Sequence, residues 1–287
     1  MLRSRHAPRP MRCRAAPALA ATLAACQTPD FERQPSSPEN VLVVAHRTCW
    51  RQAAENSLEG LEACIRQGVD IAEVDVRRTR DGVLVLMHDP TVDRTTNGSG
   101  RVSWLTYAQL SGLRLKAGRG GAEAPMTSYR IPTLEEALRR ADGRIMLEID
   151  IKGSSQPVHA FLRKQGRTDS IVLGTDTGFD PRLKVRWRLS VEPRDNSVRR
   201  LRLPDGARPF AVSAHWNRLP DPDGAFARVR AEGGRIWSVT LTGKRDTPAT
   251  WERYIRTGNC AIHTDRPDRL IQYLRERKAR QSEFTPS

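Results

Sequence analysis

The segment that most constrains the fold is 145–152, in which apolar and polar side chains alternate strictly. One row is aliphatic and the other is mostly charged: Ile145, Leu147, Ile149 and Ile151 against Met146, Glu148, Asp150 and Lys152. A period of two predicts a β-strand. In a barrel wrapped by helices, the apolar row packs outward and the charged row points into the lumen. Acids stacked there need a cation, so the segment predicts a charged lumen with a bound ion.

Two earlier segments also end on polar residues. Residues 41–45 form a continuous apolar run, as expected of a strand buried on both faces, and His46 and Arg47 follow it directly. In 71–76 the same period of two places Glu73 and Asp75 on one face and aliphatic residues on the other. Two carboxylates therefore share a face at the strand's far end, where barrel enzymes place their chemistry.

The next strand, 84–88, is predicted to run antiparallel to this one. Asp81-Gly82 is a strong hairpin signal, and the gap is too short for a parallel crossover. If Arg80 pairs with Val83, His88 lies directly opposite Asp75, with Cβ atoms about 5 Å apart. The sequence thus predicts an imidazole beside the carboxylate pair.

The rest of the chain repeats strand and helix patterns. Further strands are predicted at 170–174, 187–191, 210–215, 235–240 and 260–264, and helices at 58–67, 107–113, 134–140, 226–231, 250–256 and 267–278. Without the returning arm, eight strands can be parallel. We therefore predict the α/β class: a single-domain (β/α)₈ TIM barrel over 41–278, with a hairpin arm near strand 2.

The N-terminal region has the pattern of an export signal. Arginines precede a small apolar run, 15–25, far shorter than the roughly 20 residues of a spanning helix. The run leads into Cys26 in a context similar to the lipobox of bacterial lipoproteins; a plain signal peptide with a chance cysteine is the alternative. We predict a lipoprotein-type signal peptide over 1–26, from Met1 or Met11, a flexible linker over 27–40 and a polar tail over 279–287. The protein would be periplasmic, or membrane-anchored through lipid on Cys26.

Net charge and cysteine spacing argue against a nucleic-acid partner and a zinc site. The formal net charge is +15, but five arginines lie ahead of the apolar run and the others are scattered, so no nucleic-acid partner is predicted. Cys49, Cys64 and Cys260 are odd in number and fit no zinc spacing. We interpret them as isolated packing cysteines, with one pair possible in an oxidising compartment.

Several short motifs, in order, carry a resemblance to a known family. They are His46-Arg47, Glu55-Asn56, Glu73-x-Asp75, Thr79-x-Asp81-Gly82, His88-Asp89, Arg94-Thr95-Thr96-x-Gly98-x-Gly100, Ile131-Pro132-Thr133-Leu134, Asp150-x-Lys152, Trp237-Ser238-Val239 and Thr264-Asp265-Arg266-Pro267. The chain resembles the glycerophosphodiester phosphodiesterase family over about residues 41–275, strongly in the first half and weakly between Gly153 and Arg235.

The resemblance implies a TIM barrel that hydrolyses glycerophosphodiesters to glycerol 3-phosphate and an alcohol, with a divalent metal. It implies metal ligation by Glu73, Asp75 and Asp150, acid and base roles for His46 and His88, and phosphate binding by Arg47 and Lys152. Hard oxygen ligands suit Ca²⁺ or Mg²⁺. Two imidazoles can deprotonate an attacking hydroxyl and protonate a leaving alkoxide.

Some positions depart from the family or stay open. Thr48 stands where the family usually has Gly, and Asp150 where it usually has the longer Glu, so Glu148 is an alternative ligand one layer below. Trp237 could stack against substrate or equally be a packing residue. Asp265 and Arg266 are expected to close the barrel rim with an ion pair.

Other activities also remain open on the sequence. One is a related lipid phosphodiesterase that acts on lysophospholipids or forms a cyclic phosphate. Another is an impaired barrel that serves as a binding or envelope protein, because Thr48 and Asp150 disturb the site.

Overall fold

The structure, a computed structural model, describes residues 41–166, 168–191, 204–206, 209–214, 230–231, 234–241 and 244–283. Its strands are β1 (Leu42–Ala45), β2 (Ile71–Arg78), β3 (Leu84–Leu86), β4 (Met146–Ile151), β5 (Ile171–Gly174), β6 (Arg186–Val191), β7 (Ala211–Ala214), β8 (Ile236–Val239) and β9 (Asn259–Thr264). Eight of them pair in parallel from β1 through β2 and β4 to β9, which returns to β1, so the barrel closes. β3 is antiparallel to β2 and lies outside the ring. The predicted TIM barrel with a hairpin arm is confirmed.

Two apolar clusters show which face of each strand points inward. Val44, Ile71 and Met146 pack with Trp237 inside the barrel. Their sequence neighbours Ala45, Ala72 and Leu147 belong to a larger outer cluster that includes helix residues such as Leu61 and Leu134. Because side chains alternate along a strand, the charged row of β4 and the acids of β2 must point into the lumen, above the inner apolar layer.

The described helices surround the barrel: α1 (Leu58–Gln67), α2 (Tyr107–Ser111), α3 (Leu134–Ala141), α4 (Gln156–Gln165), α5 (Pro248–Arg256) and α6 (Pro267–Glu283). Ser57 caps α1, and Gly68 ends it at φ 76°, as its position predicts. Thr133 and Glu136 form a capping box on α3. The sequence reading missed α4, and α6 continues past Lys278 into the predicted polar tail.

The hairpin between β2 and β3 differs from the predicted register by one residue. Val76 pairs with Leu86 and Arg78 with Leu84. The turn is closed by Thr79, whose backbone N–H donates to the Val83 carbonyl at 2.9 Å and whose hydroxyl accepts from the Val83 N–H at 2.9 Å. The loop is therefore one residue longer than the Asp81-Gly82 turn, and Met87, not His88, lies beside Asp75.

The structure contains the one cysteine pair that the sequence left possible. Cys49 and Cys64 form a disulfide, with Cα atoms 5.3 Å apart, which ties the loop after His46 to α1. Both are fully buried, and their sequence spacing alone gives no sign of this proximity. Cys260 is the buried packing cysteine that was predicted.

Several predictions lie outside the described residues. They concern the signal peptide with Cys26, the linker 27–40, most of the helix at 226–231 and the last four residues of the tail. Among the helices that the structure does describe, none combines the length and the apolar character needed to cross a membrane.

Candidate active site

Three carboxylates meet at the carboxyl ends of β2 and β4. The parallel register pairs Glu73 with Glu148 and Asp75 with Asp150. One carboxylate oxygen from each of Glu73, Asp75 and Asp150 lies within 4.8 Å of the others. Glu73 and Asp75 are buried, whereas the Asp150 side chain is 40% exposed, so the cluster opens toward the barrel mouth.

The electrostatics of this cluster favour a cation. Burial, followed by repulsion from Asp75 and Asp150, raises the pKa of Glu73 well above its usual value. Burial also opposes ionisation of Asp75, but Lys152 and the Asn56 amide hold the pKa of Asp75 below its usual value. Three hard oxygen donors that converge under mutual repulsion could hold a divalent metal ion.

Lys152 lies beside the acids from the residue after β4. Its Nζ is 2.6 Å from Asp150 Oδ2 and 3.1 Å from Asp75 Oδ1. Burial disfavours its charge, yet the two carboxylates raise the pKa of Lys152. It therefore carries a positive charge at the mouth.

His46 lies directly after β1, on the same side of the barrel. Its Nδ1 is 2.8 Å from Asp265 Oδ1, and the Nε of Arg47 donates to its Nε2 at 3.2 Å. Asp265 also accepts from the Trp50 indole N–H at 3.1 Å. Asp265-Arg266 was expected to close the barrel rim with an ion pair, and in the structure the Asp265 carboxylate faces His46 there.

His88 lies across the mouth on the segment after β3, and 31% of its side chain is exposed. Its Nδ1 is 2.6 Å from Asp89 Oδ1. Two hydrogen bonds from Arg94 hold Asp89 in place, and together these contacts keep the pKa of Asp89 well below its usual range despite partial burial. Although His88 is not opposite Asp75, its charge still helps to lower the Asp75 pKa.

Glu55 and Asn56 connect the loops that carry the two histidines with the acid cluster. Buried Glu55 accepts from Arg47 at 3.3 Å and from Arg94 at 2.6 Å, and so connects the loop of His46 to the loop of His88. The Asn56 amide donates to Asp75 Oδ2 at 2.7 Å and accepts from the Asp75 N–H at 2.9 Å. This paired contact orients the Asp75 carboxylate.

The backbone after His46 is left-handed at two successive residues, Arg47 at φ 53° and Thr48 at φ 66°. This turn directs the Arg47 N–H to Glu73 Oε2 at 2.5 Å and the Thr48 N–H to the Glu73 carbonyl at 2.9 Å. Gly adopts such a left-handed backbone most readily, and here Thr48 adopts it.

Glu148 points away from the three acids. Its carboxylate accepts from Arg188 Nε at 2.8 Å and lies 4.0 Å from the Nδ1 of His263. The three carboxylates that converge thus include Asp150 and not Glu148. Trp237 is 1% exposed in the lumen, with its ring edge-on to His263. That position suits packing, and its contact with substrate stays a prediction.

Sequence comparison finds a family match over part of the chain. Residues 46–176 match the model of the Glycerophosphoryl diester phosphodiesterase family, and this span holds every predicted metal ligand and both predicted catalytic histidines. This span therefore carries a domain of that family.

Individual relatives agree with this assignment. A glycerophosphodiester phosphodiesterase of Caldanaerobacter subterraneus is 28% identical over 82% of this chain and 98% of its own length. Mouse glycerophosphodiester phosphodiesterase 1 is 39% identical over 44% of this chain, but the match spans only 38% of the mouse protein. Among solved structures, an Oleispira antarctica phosphodiesterase in complex with the product sn-glycerol-3-phosphate is similar in fold, with a TM-score of 0.65 at 20% identity, covering 83% of this chain and 97% of that one.

Sequence reasoning missed the residues that hold the predicted catalytic groups in place. Glu55, Asn56 and Asp89 stood in the quoted motifs, yet no role was given to them. A sequence signal for Asp265 did exist, because His46 and Asp265 each directly follow the last residue of a predicted strand. Only the closure of the barrel, which makes β1 and β9 neighbours, brings them together.

Proposed function

We propose that this protein is a glycerophosphodiester phosphodiesterase that uses a divalent metal ion and two histidines. The observation that carries the proposal is the meeting of Glu73, Asp75 and Asp150 within 4.8 Å, in a barrel mouth that also holds His46 and His88. The product in the Oleispira relative, sn-glycerol-3-phosphate, supports the substrate class.

Separate residues have the metal-binding, phosphate-binding and proton-transfer roles in this proposal. Glu73, Asp75 and Asp150 would hold the ion, which neutralises charge that develops on the phosphoryl oxygens. Arg47 and Lys152 bind the phosphate. His46 accepts the proton of the attacking glycerol 2-hydroxyl and His88 protonates the departing alkoxide, each contributing about 10²–10⁴-fold. Attack by this hydroxyl gives a cyclic phosphate, which water opens to glycerol 3-phosphate.

An assay with glycerophosphoethanolamine tests the proposal. With Mg²⁺ or Ca²⁺ present, release of glycerol 3-phosphate and ethanolamine is expected, and excess chelator should abolish it. Absence of metal-dependent release would favour the impaired, binding-only barrel. Accumulation of the cyclic phosphate, or turnover of lysophospholipids alone, would instead indicate the related lipid phosphodiesterases.

His46→Ala and Asp75→Asn should each lower turnover by at least about 10²-fold while the thermal transition stays near that of the wild type. His159→Gln is the matched control, because His159 lies on α4, outside the barrel. An equal loss in this control would mean that the wrong histidines have been assigned.

We also propose that the protein is exported and anchored through Cys26. The signal pattern supports this, and so does the Cys49–Cys64 disulfide, since disulfides persist in oxidising compartments. In cell fractionation, the wild type should remain with membranes and Cys26→Ala should not. Membrane retention of Cys26→Ala would contradict lipid anchoring.

A further inference from the structure

His46 and Asp265 are brought together by the register of two neighbouring strands. Ala45 of β1 pairs with Thr264 of β9, and each strand is followed by one of the two residues. The His46 N–H donates to the Thr264 carbonyl at 3.1 Å, which extends the pairing past the strand ends. Groups separated by 219 positions in the chain thus lie side by side.

Asp246, which is 1% exposed, holds the backbone of Asp265 in place. One Asp246 oxygen accepts from the Asp265 N–H at 2.9 Å, and both accept from the Thr264 hydroxyl, at 2.7 and 2.8 Å. The Trp50 indole N–H donates to Asp265 Oδ1, the same oxygen that faces His46. The carboxylate oxygen that faces His46 therefore has a defined position.

The two contacts of the imidazole determine where its proton is. An ionised carboxylate only accepts hydrogen bonds, so the Nδ1 beside Asp265 must donate. The Arg47 Nε–H only donates, so Nε2 must accept. Nε2 thus carries the ring's basic lone pair, which accepts from Arg47, the proposed phosphate ligand.

We infer that Asp265 is a positioning residue for His46, which holds the neutral imidazole in the tautomer with the proton on Nδ1 and the basic lone pair on Nε2. This inference rests on the proposed function in so far as it makes His46 the base. The same logic governs Ser-His-Asp hydrolases, where the carboxylate sets the tautomer without taking the proton.

The charge state of Asp265 agrees with this role. Burial alone would push Asp265 toward its neutral form, but its hydrogen bond to His46 and the positive charges nearby hold the pKa of Asp265 below its usual value. A competing account is that Asp265 only fixes the rim loop, through Trp50 and through Arg51, whose Nε donates to the Asp265 carbonyl at 2.9 Å.

Nitrogen NMR of the full-length protein tests the inference directly. In the wild type at neutral pH, the His46 ring should show a protonated Nδ1 and an unprotonated Nε2. In Asp265→Asn, the amide can donate to Nδ1, so the proton should move to Nε2. An unprotonated Nδ1 in the wild type would overturn the inference, and this decides the matter even if the variant does not fold.

Kinetics supply the second measurement. Asp265→Asn should lower kcat by at least about 10²-fold with little change in KM, because substrate still binds but the base lies in the wrong tautomer. Arg51→Ala, which removes a rim contact and leaves the carboxylate in place, should keep kcat within about 2-fold of the wild type. Wild-type kcat in Asp265→Asn, or an equal loss in Arg51→Ala, would contradict the positioning role.

These measurements separate the inference from the function on which it rests. If the wild type releases no glycerol 3-phosphate, the proposed function fails, while the tautomer of His46 still tests the role of Asp265. If the wild type is active and the tautomer does not change in Asp265→Asn, only the inference fails.

Discussion

Thr48, next to the candidate site, has a backbone conformation that is unfavourable for its residue type. Thr48 is β-branched and fully buried, yet its φ of 66° lies where side chains other than Gly are disfavoured. Its neighbour Gly60 leaves the space that the Thr48 hydroxyl occupies, since a Cβ on Gly60 would overlap that oxygen. The conformation persists because the Thr48 N–H is bound to the carbonyl of Glu73.

Substitutions at this position should therefore reverse the usual preference for alanine over glycine. Thr48→Gly and Thr48→Ala both remove the buried side chain, but only Gly adopts the left-handed backbone without a penalty of about 1–2 kcal/mol. We expect Thr48→Gly to be more stable than Thr48→Ala by about 1 kcal/mol in chemical denaturation. Equal stabilities, or a more stable alanine variant, would contradict the backbone argument.

Asp70, at the opposite end of β2 from the acids, makes stability depend on pH. Its Oδ2 accepts from the Val43 N–H at 2.8 Å, and burial raises the pKa of Asp70 from 3.8 to about 6. Between these two values the folded protein keeps a proton that the unfolded chain has lost, so the free energy of unfolding falls as pH rises through this window. Above it, the loss is complete.

Asp70→Asn should remove this loss, because the amide oxygen can still accept from Val43. We expect the variant to exceed the wild type by about 2 kcal/mol near pH 8 and to approach it near pH 4, with turnover unchanged. Denaturant titrations at both pH values provide the test. A stability difference that does not vary with pH would count against a raised Asp70 pKa.

Strict alternation of apolar and polar side chains decided which strands the sequence could predict. β4 and β2 show two-faced patterns, and both the lumen row and the outer row were confirmed. The register of the β2–β3 hairpin failed because the Thr79 hydroxyl closes a longer turn than Asp81-Gly82 suggests. α4 was missed because it lies in a weakly patterned region and Ser155 makes no side-chain cap, although Pro157 and Gly166 stand at ordinary helix-boundary positions.

The disulfide is a tertiary feature that no local pattern announces. It joins the loop after His46 to α1 across a sequence separation of 15 residues. Closing a loop of that size contributes about 3 kcal/mol, mainly by constraining the unfolded chain. Reductant should therefore lower the denaturation midpoint of the wild type, and a Cys49→Ser/Cys64→Ser double variant should start at the lower value.

Cys260→Ala is the matched control for this experiment. Because Cys260 is a buried free thiol, the variant should remain as sensitive to reductant as the wild type. A wild type that is indifferent to reductant under denaturing conditions would contradict a structural role for the bridge.

Closure of the barrel brings the residues of the candidate site together from distant parts of the chain. The acids come from β2 and β4, His46 follows β1 and its partner Asp265 follows β9. The candidate ligands and histidines could be chosen from the sequence because each lies in or directly after a predicted strand. The sequence could not predict that Asp265 faces His46 or that Glu148 turns to Arg188, since both depend on neighbours across the lumen.

Calorimetric titration of the metal-free protein with Ca²⁺ and Mg²⁺ measures whether the three carboxylates hold an ion. The wild type should bind a single ion at the three carboxylates, and Glu73→Gln and Asp150→Asn should each lower the affinity by at least about 10-fold, since each removes a charged oxygen ligand. Glu148→Gln should retain wild-type affinity. Undiminished binding in Glu73→Gln and Asp150→Asn, or a loss confined to Glu148→Gln, would contradict the proposed metal site.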